Sequence, residues 1–403
     1  MRVRATYRTL LAALALALTG CGGGGGGGSG TSGAVSSPSA ANQVTVTVMQ
    51  DPDIAGVATT NIPYVTLTVC DTNGSCESVD HIVVDTGSYG LRILKTAVPQ
   101  LVLPPDAGSS PGEHMGECVT FLDGYMWGSV AQASVQIGGE KTTTNIPIQL
   151  IADPSLPSAP SPSCTGTGPD ESNLVGIGGN GILGIGPFVS DAGLYYSCGA
   201  SSCTALTTAS ANIPVSQQVS NPVAAFLVDN NGVILQMPSV PSTGAATASG
   251  VLTFGIGTQS DNSISGYAML QADPSGDFSA TLQGQIYGSS FIDSGSNLNF
   301  ATLSGVAINS RGDYAPTGLS SYPVTLTPNV GLGSALATQI QVIDSEQLDF
   351  SNMAFDDIDD PGTSAGPSGY VDLGMPFFYG RSVAFVISGR ASPEGVGPLY
   401  GVQ

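Results

Sequence analysis

The chain has 403 residues, with 9 Lys+Arg against 30 Asp+Glu, and only 10% of them are charged, so its formal charge of -21 reflects missing bases rather than abundant acids. No two basic residues are adjacent, and the Lys/Arg clusters that release counterions from phosphates are lacking, which excludes a nucleic-acid partner and direct electrostatic docking on anionic lipid. Glycine fills 55 positions, about twice the usual share. Together with 27 prolines it predicts many turns and short strands, while 41% hydrophobic residues suffice for a large core in two or three domains or lobes.

Residues 1–20 read as a signal peptide: Arg2, Arg4 and Arg8 precede a short apolar run, Leu10 to Leu18, and then Leu18-Thr19-Gly20-Cys21. The segment resembles a bacterial lipoprotein signal, which implies that Cys21 carries the lipid and becomes the new N-terminus. Cleavage leaves 6 bases against 30 acids, a mature charge of -24. Residues 21–42 are the lipidated cysteine and a tether of mostly Gly, Ser, Ala, Thr and Pro, with a reach on the order of 25 Å.

Six further cysteines, Cys70, Cys76, Cys118, Cys164, Cys198 and Cys203, read as three disulfides behind an export signal, with fifteen connectivities open to the sequence alone. Local spacing favours Cys70-Cys76 and Cys198-Cys203, leaving Cys118-Cys164 by elimination. Zinc is set aside because no CxxC is present and His81 and His114 are not paired at ligand spacing.

The periodicity of the body is that of β structure. Val44 to Val48, Tyr64 to Val69, Ser134 to Ile137 and Val383 to Ile387 are β-branched or alternating runs bounded by turn residues. Short helices are expected near 214–221 and 298–308, giving a mostly β class with minor helix.

Two segments carry the chemistry. His81-Ile82-Val83-Val84-Asp85-Thr86-Gly87-Ser88 delivers an acid from an apolar strand into a turn, and Ser290-Phe291-Ile292-Asp293-Ser294-Gly295-Ser296 repeats the pattern 208 residues later. Alone, each reads as an ordinary Asp turn. The repetition suggests two equivalent halves, each bringing one carboxylate to a shared interface. Two carboxylates about 3 Å apart share one proton, so one can take a proton from water while the other gives one to a substrate carbonyl. Thr86 and Ser294 suit a supporting role across the two loops, and Gly87 and Gly295 allow a tight turn.

These segments resemble the pepsin-like aspartic peptidases, in a branch of bacterial lipoproteins. Asn180 to Gly186 is similar to the family's hydrophobic-hydrophobic-Gly segment behind the first aspartate loop, Val371 to Phe378 to its second-lobe counterpart, and Gly250 to Gly255 to the strand opening the C-terminal lobe. The resemblance covers about residues 43–403. It implies a bilobal β fold with a cleft between an N-terminal lobe, 43–245, and a C-terminal lobe, 246–403, with no metal or organic cofactor. It also implies catalytic Asp85 and Asp293, supported by Thr86, Gly87, Ser88, Ser294, Gly295 and Ser296. The family's flap tyrosine falls on Phe121, with Tyr125 and Trp127 as further flap candidates, and Arg92 stands where the family often has a tryptophan.

Other matches are discounted. Gly176 to Gly181 fits a dinucleotide fingerprint but no helix pattern follows. Arg311-Gly312-Asp313 reads as a turn, and Asp356, Asp357, Asp359 and Asp360 as a solvated acidic loop rather than a calcium site. No GxSxG serine accompanies the histidines.

The leading expectation is a lipid-anchored aspartic endopeptidase of the bacterial cell envelope, at the outer membrane on its periplasmic or cell-surface face, monomeric and acting on a peptide or protein substrate. The alternative is a catalytically silent relative that binds a peptide or protein partner in the cleft.

Overall fold

A computed structural model describes residues 37–54, 56–121, 124–206, 213–362 and 369–403. The leader, Cys21 and most of the tether lie outside these residues.

All four apolar runs form strands: Gln43–Val48, Pro63–Cys70, Tyr125–Ile137 and Ser382–Val386. In Gln43–Val48 the alternation has a direct physical result, because Val46 and Val48 are fully buried while the intervening threonines are less so. This strand pairs with Ala248–Phe254, which pairs with Gly232–Gln236, then Ser382–Val386, Leu399–Val402 and Ala268–Gln271. Strands from both ends and the middle of the chain therefore share one sheet. The boundary expected near 245 falls just before Ala248–Phe254, inside this joining sheet.

Each half also contains the same crossing. Strand Cys76–Asp85 runs parallel to Gly181–Ile185, with Asp85 opposite Gly184, and Tyr89–Leu94 returns antiparallel on the far side. In the second half Gln285–Ile292 runs parallel to Asp372–Leu373, and Asn299–Phe300 pairs antiparallel with it. The strands at each centre are buried on both faces, and in Gly181–Ile185 this shows as a continuous run of glycine and apolar residues. A four-residue helix follows or precedes each crossing, Leu174–Ile177 and Met375–Phe378.

The three disulfides are Cys70–Cys76, Cys118–Cys164 and Cys198–Cys203. Cys118–Cys164 closes 46 residues and ties the hairpin strand His114–Thr120 to the loop beyond it, whereas the other two staple local hairpins.

Two local expectations are corrected. Of the helical windows, 214–221 holds only a 3-10 turn, Val215–Gln217, and 298–308 opens with strand Asn299–Phe300 and continues as turns. Tertiary pairing of Asn299–Phe300 with Asp359–Asp360 overrides the weak helical propensity of that window. The same pairing draws the acidic run inward. Asp357 and Asp359 are each 1% exposed and alternate with the core residue Ile358, so the run is not a solvated loop.

Candidate active site

Ile82, Val83 and Val84 are buried, and their strand ends with Asp85 at 1% exposure. Ile292, also buried, ends the equivalent strand, and the amide of Asp293 donates to Leu373 O at 2.9 Å. Both aspartates thus follow strand ends that are buried at the last residue and enter turns that face each other.

The amide of Gly87 donates both to Asp85 Oδ1 at 2.8 Å and to Asp293 Oδ1 at 3.1 Å, so a single N–H is bracketed by the two carboxyls. Asp85 also accepts from the Ser88 amide at 3.0 Å and from the Ser88 hydroxyl. Asp293 accepts from the Gly295 amide at 2.7 Å, and the Ser296 hydroxyl lies 3.0 Å from its Oδ2. The two loops are bound reciprocally: the Ser294 amide donates to Thr86 Oγ1 at 2.9 Å, and the Thr86 amide donates to Ser294 Oγ at 3.2 Å. Ser294 Oγ then donates to Val84 O at 2.7 Å. Glycine is required at both turns by close approach. A Cβ at Gly295 would lie 2.7 Å from Asp85 Cγ, and one at Gly87 would collide with the Asp293 carboxyl.

Burial pushes the pKa of both carboxyls up. At Asp85 hydrogen bonds from Ser88 and Asp293 counter this, whereas Asp293 is driven well above the carboxylate range by burial and then by the charges of Asp85 and Asp372. These directions favour one proton shared between the two carboxyls, the condition for one group to act as base and the other as acid.

Asp372 was not anticipated as part of the site. It is fully buried behind Asp293, and Ser296 Oγ lies 2.7 Å from its Oδ2 and 3.0 Å from Asp293 Oδ2. A hydroxyl has one proton, so it donates to one of these carboxyls and accepts from, or merely abuts, the other. The sequence held a signal for it: an acid between Val371 and Leu373 in an otherwise apolar strand.

The three aromatic flap candidates go to different places. Phe121 closes the hairpin between His114–Thr120 and Tyr125–Ile137 through its amide to Gly124 O at 2.8 Å, and its ring packs with Val83 and Ile182 beside the strand that carries Asp85. Tyr125 and Trp127 instead join the cluster around Cys118–Cys164, where Trp127 Nε1 donates to Pro157 O at 2.9 Å and its ring meets Tyr196 edge-on. Both rings thus pack on the disulfide side of the hairpin. Leu122 and Asp123 of the hairpin tip lie outside the described residues.

Arg92 has no exposure at all. Its Nη1 donates to Tyr89 O at 2.8 Å, fixing the segment after the Asp85 turn, and its Nη2 pairs with Glu117 at 3.0 Å and with Asp191. Tyr195 donates to Asp191 Oδ1 at 2.5 Å. Glu117 lies on the hairpin strand His114–Thr120, so one buried cation links that hairpin to the segment after the Asp85 turn. Burial drives the Glu117 carboxyl well above its usual range, the Arg92 charge opposing and the Asp191 charge adding to the rise.

With this geometry in view the chain can be placed. Residues 38–401 match the model of a family described as a protein of unknown function, DUF3443. The chain belongs to that family. Among solved structures it is similar to the aspartic proteinase from Irpex lacteus, at 14% sequence identity over 90% of this chain and 97% of that one, with a TM-score of 0.50. The likeness shows the fold, which is the bilobal, mostly β acid-protease architecture. No curated protein matches the chain significantly.

Beside the carboxyls, a cavity of about 240 Å³ opens between Thr86–Gly87 and the turn around Ser275–Asp277. Tyr89, Phe291 and Tyr400 form its aromatic walls. Apart from the dyad's own turn, none of these residues was picked out as a site residue from sequence: Tyr89 and Phe291 flank the two aspartate turns, but only the fold brings Asp277 and Tyr400 beside them. Among the described residues no group of three or more His, Cys, Asp or Glu is arranged to hold a metal ion.

Proposed function

We propose that the protein is an aspartic endopeptidase that hydrolyses peptide bonds with a water activated between Asp85 and Asp293. The observation that carries the reading is the Gly87 amide shared by the two carboxyls, since it requires them to sit side by side in a desolvated site. In this reading the ionised carboxyl of the pair accepts a proton from water as it attacks the scissile carbonyl, and the protonated one donates to the carbonyl oxygen. The tetrahedral intermediate then collapses as a proton passes to the leaving nitrogen, and no covalent bond to the enzyme forms. Thr86, Ser294, Ser88 and Ser296 hold the carboxyls in place, leaving the water as the mobile reactant.

Cleavage of a diverse peptide library by the full chain, across roughly pH 3 to 7, tests this. Hydrolysis that disappears in Asp293→Asn and with a statine-type inhibitor is the expected result. A second reading, a silent cleft that binds a peptide or protein partner, draws support from Phe121, which offers no hydroxyl at the flap position and is buried against Val83 and Ile182. Peptide binding without turnover in the wild-type chain would establish it.

We also read the leader as attaching the body, as a monomer, to the bacterial envelope through lipid on Cys21, with outer-membrane placement. Support comes from the Thr19-Gly20-Cys21 sequence after an apolar run and from the Gly/Ser tether that follows.

A further inference from the structure

We propose that the cavity beside the dyad receives a basic side chain, Lys or Arg, of the peptide next to the scissile bond, with Asp277 as its counter-charge. This rests on the peptidase reading of the cleft, and it adds a substrate class to it.

Position comes first. Thr86 and Gly87 line the cavity, so any side chain occupying it belongs to a residue close to the reacting carbonyl. Charge comes second. Asp277 is the charged residue in the lining, which contains no Lys, Arg or His, and the chain as a whole carries -21. A cation entering here finds one fixed negative partner and a long-range field of the same sense. Burial pushes the phenols of Tyr89 and Tyr400 up, and the Asp277 charge adds to the rise at both, which places its carboxylate within electrostatic reach of both aromatic walls.

The walls suit the stem of such a side chain. Tyr89, Phe291 and Tyr400 give apolar faces to the methylenes and π faces to a cationic head. They are also fixed: Tyr89 packs edge-on against Phe188, Phe291 stacks on Tyr370, and Tyr400 packs edge-on against Phe278.

The turn that carries the acid is preorganised. The Asp273 amide donates to Asp277 O at 2.9 Å, the Asp277 amide to Asp273 Oδ1 at 3.2 Å, and Asn329 Nδ2 to Asp277 O at 3.1 Å. Tyr400 donates to Gly276 O at 2.7 Å, binding the same turn to the cavity wall. A counter-charge on a pinned turn requires little ordering when the ligand arrives. An apolar side chain would instead crowd the Asp277 carboxylate without supplying an opposite charge, which sets the discrimination against it.

The test uses the full chain and peptides that differ only at residues flanking the cleaved bond, where Lys, Arg, norleucine or Glu is placed. Each peptide is made in a hydrolysable form and with a reduced, uncleavable amide, and both are measured at about pH 5, above the ordinary carboxylate range. At one flanking position, Lys and Arg should exceed norleucine on the order of tenfold in kcat/KM and in affinity, with Glu lowest. Asp277→Asn should collapse the basic-to-norleucine ratio toward one, and Asp277→Lys should turn the preference toward Glu, with circular dichroism checking the fold of each variant. Equal or better use of norleucine by the wild-type chain, or a ratio unchanged in well-folded Asp277→Asn, overturns the proposal. The two forms separate the readings. An Asp277-dependent preference in binding without hydrolysis removes the peptidase and keeps the pocket, hydrolysis without the preference does the reverse, and neither binding nor hydrolysis rejects both.

Discussion

Thr86 and Ser294 are each other's hydrogen-bond partners across the two halves of the chain, each accepting from the other's amide at 2.9 and 3.2 Å. Neither contact touches the reacting atoms. Together they fix how the two aspartate turns face each other, because both amides are buried and have their acceptors on the opposite turn.

Thr86→Val keeps the side-chain volume and removes the oxygen that accepts from the Ser294 amide. The orphaned N–H should cost about 1–3 kcal/mol, read as a lower denaturant midpoint. Turnover should fall more than KM rises, and Thr86→Ser should restore much of both. A Thr86→Val chain with unchanged midpoint and turnover would show that the reciprocal pair is dispensable.

Arg92 balances two buried acids, and its loss should be severe. Arg92→Met leaves Glu117 and Asp191 without their cation at full burial, a change expected to cost about 3–5 kcal/mol. Adding Glu117→Gln should recover part of the loss, since it removes one of the two uncompensated carboxyls. Chemical denaturation of the single and double variants measures this, and additive losses in the double variant would contradict the linked network.

Stability should decline as pH rises from about 4 to 7. Burial, then the neighbouring charge of Asp356, raises Asp357 to about 7, and Asp359, Asp85 and Asp293 are raised in the same direction. A carboxyl with a folded pKa above its unfolded value binds its proton more tightly when folded. Its contribution is therefore complete below the unfolded pKa and is lost as pH climbs through the folded one. Carboxyls lowered by hydrogen bonds, such as Asp344 by Asn309 and Asp349 by the Ser351 amide, act oppositely and only at more acidic pH. The urea midpoint should be higher near pH 4.5 than near 7.5, and Asp357→Asn should flatten the difference by stabilising the neutral end. A midpoint that climbs steadily over this window would refute the assignment.

Cys21→Ser tests the anchor. Membrane-fraction recovery should drop sharply, with the body released intact, because a single unlipidated leader gives no stable attachment once cleaved. Retention and continued labelling with a lipid precursor would contradict the lipoprotein assignment.

The sequence by itself determined the mostly β class, the two short-range disulfide pairs and the two turns. Each is written locally: valine and threonine alternate at the strand period, cysteines lie five or six residues apart across turns, and the Asp-Ser/Thr-Gly-Ser segments repeat. Tertiary structure alone decided the rest. Phe121, Tyr125 and Trp127 stand within seven residues of one another, yet only the tertiary packing puts the last two into the cluster around Cys118–Cys164 and the first into the cluster that holds Val83 and Ile182. The acidic run from Asp356 to Asp360 is hydrophilic in sequence, but pairing with Asn299–Phe300 buries two of its members. Asp372, Glu117 and Asp277 become neighbours of the site only through contacts spanning tens to hundreds of residues. Burial and charge coupling depend on which segments meet in space, and local periodicity holds no information about a partner that distant.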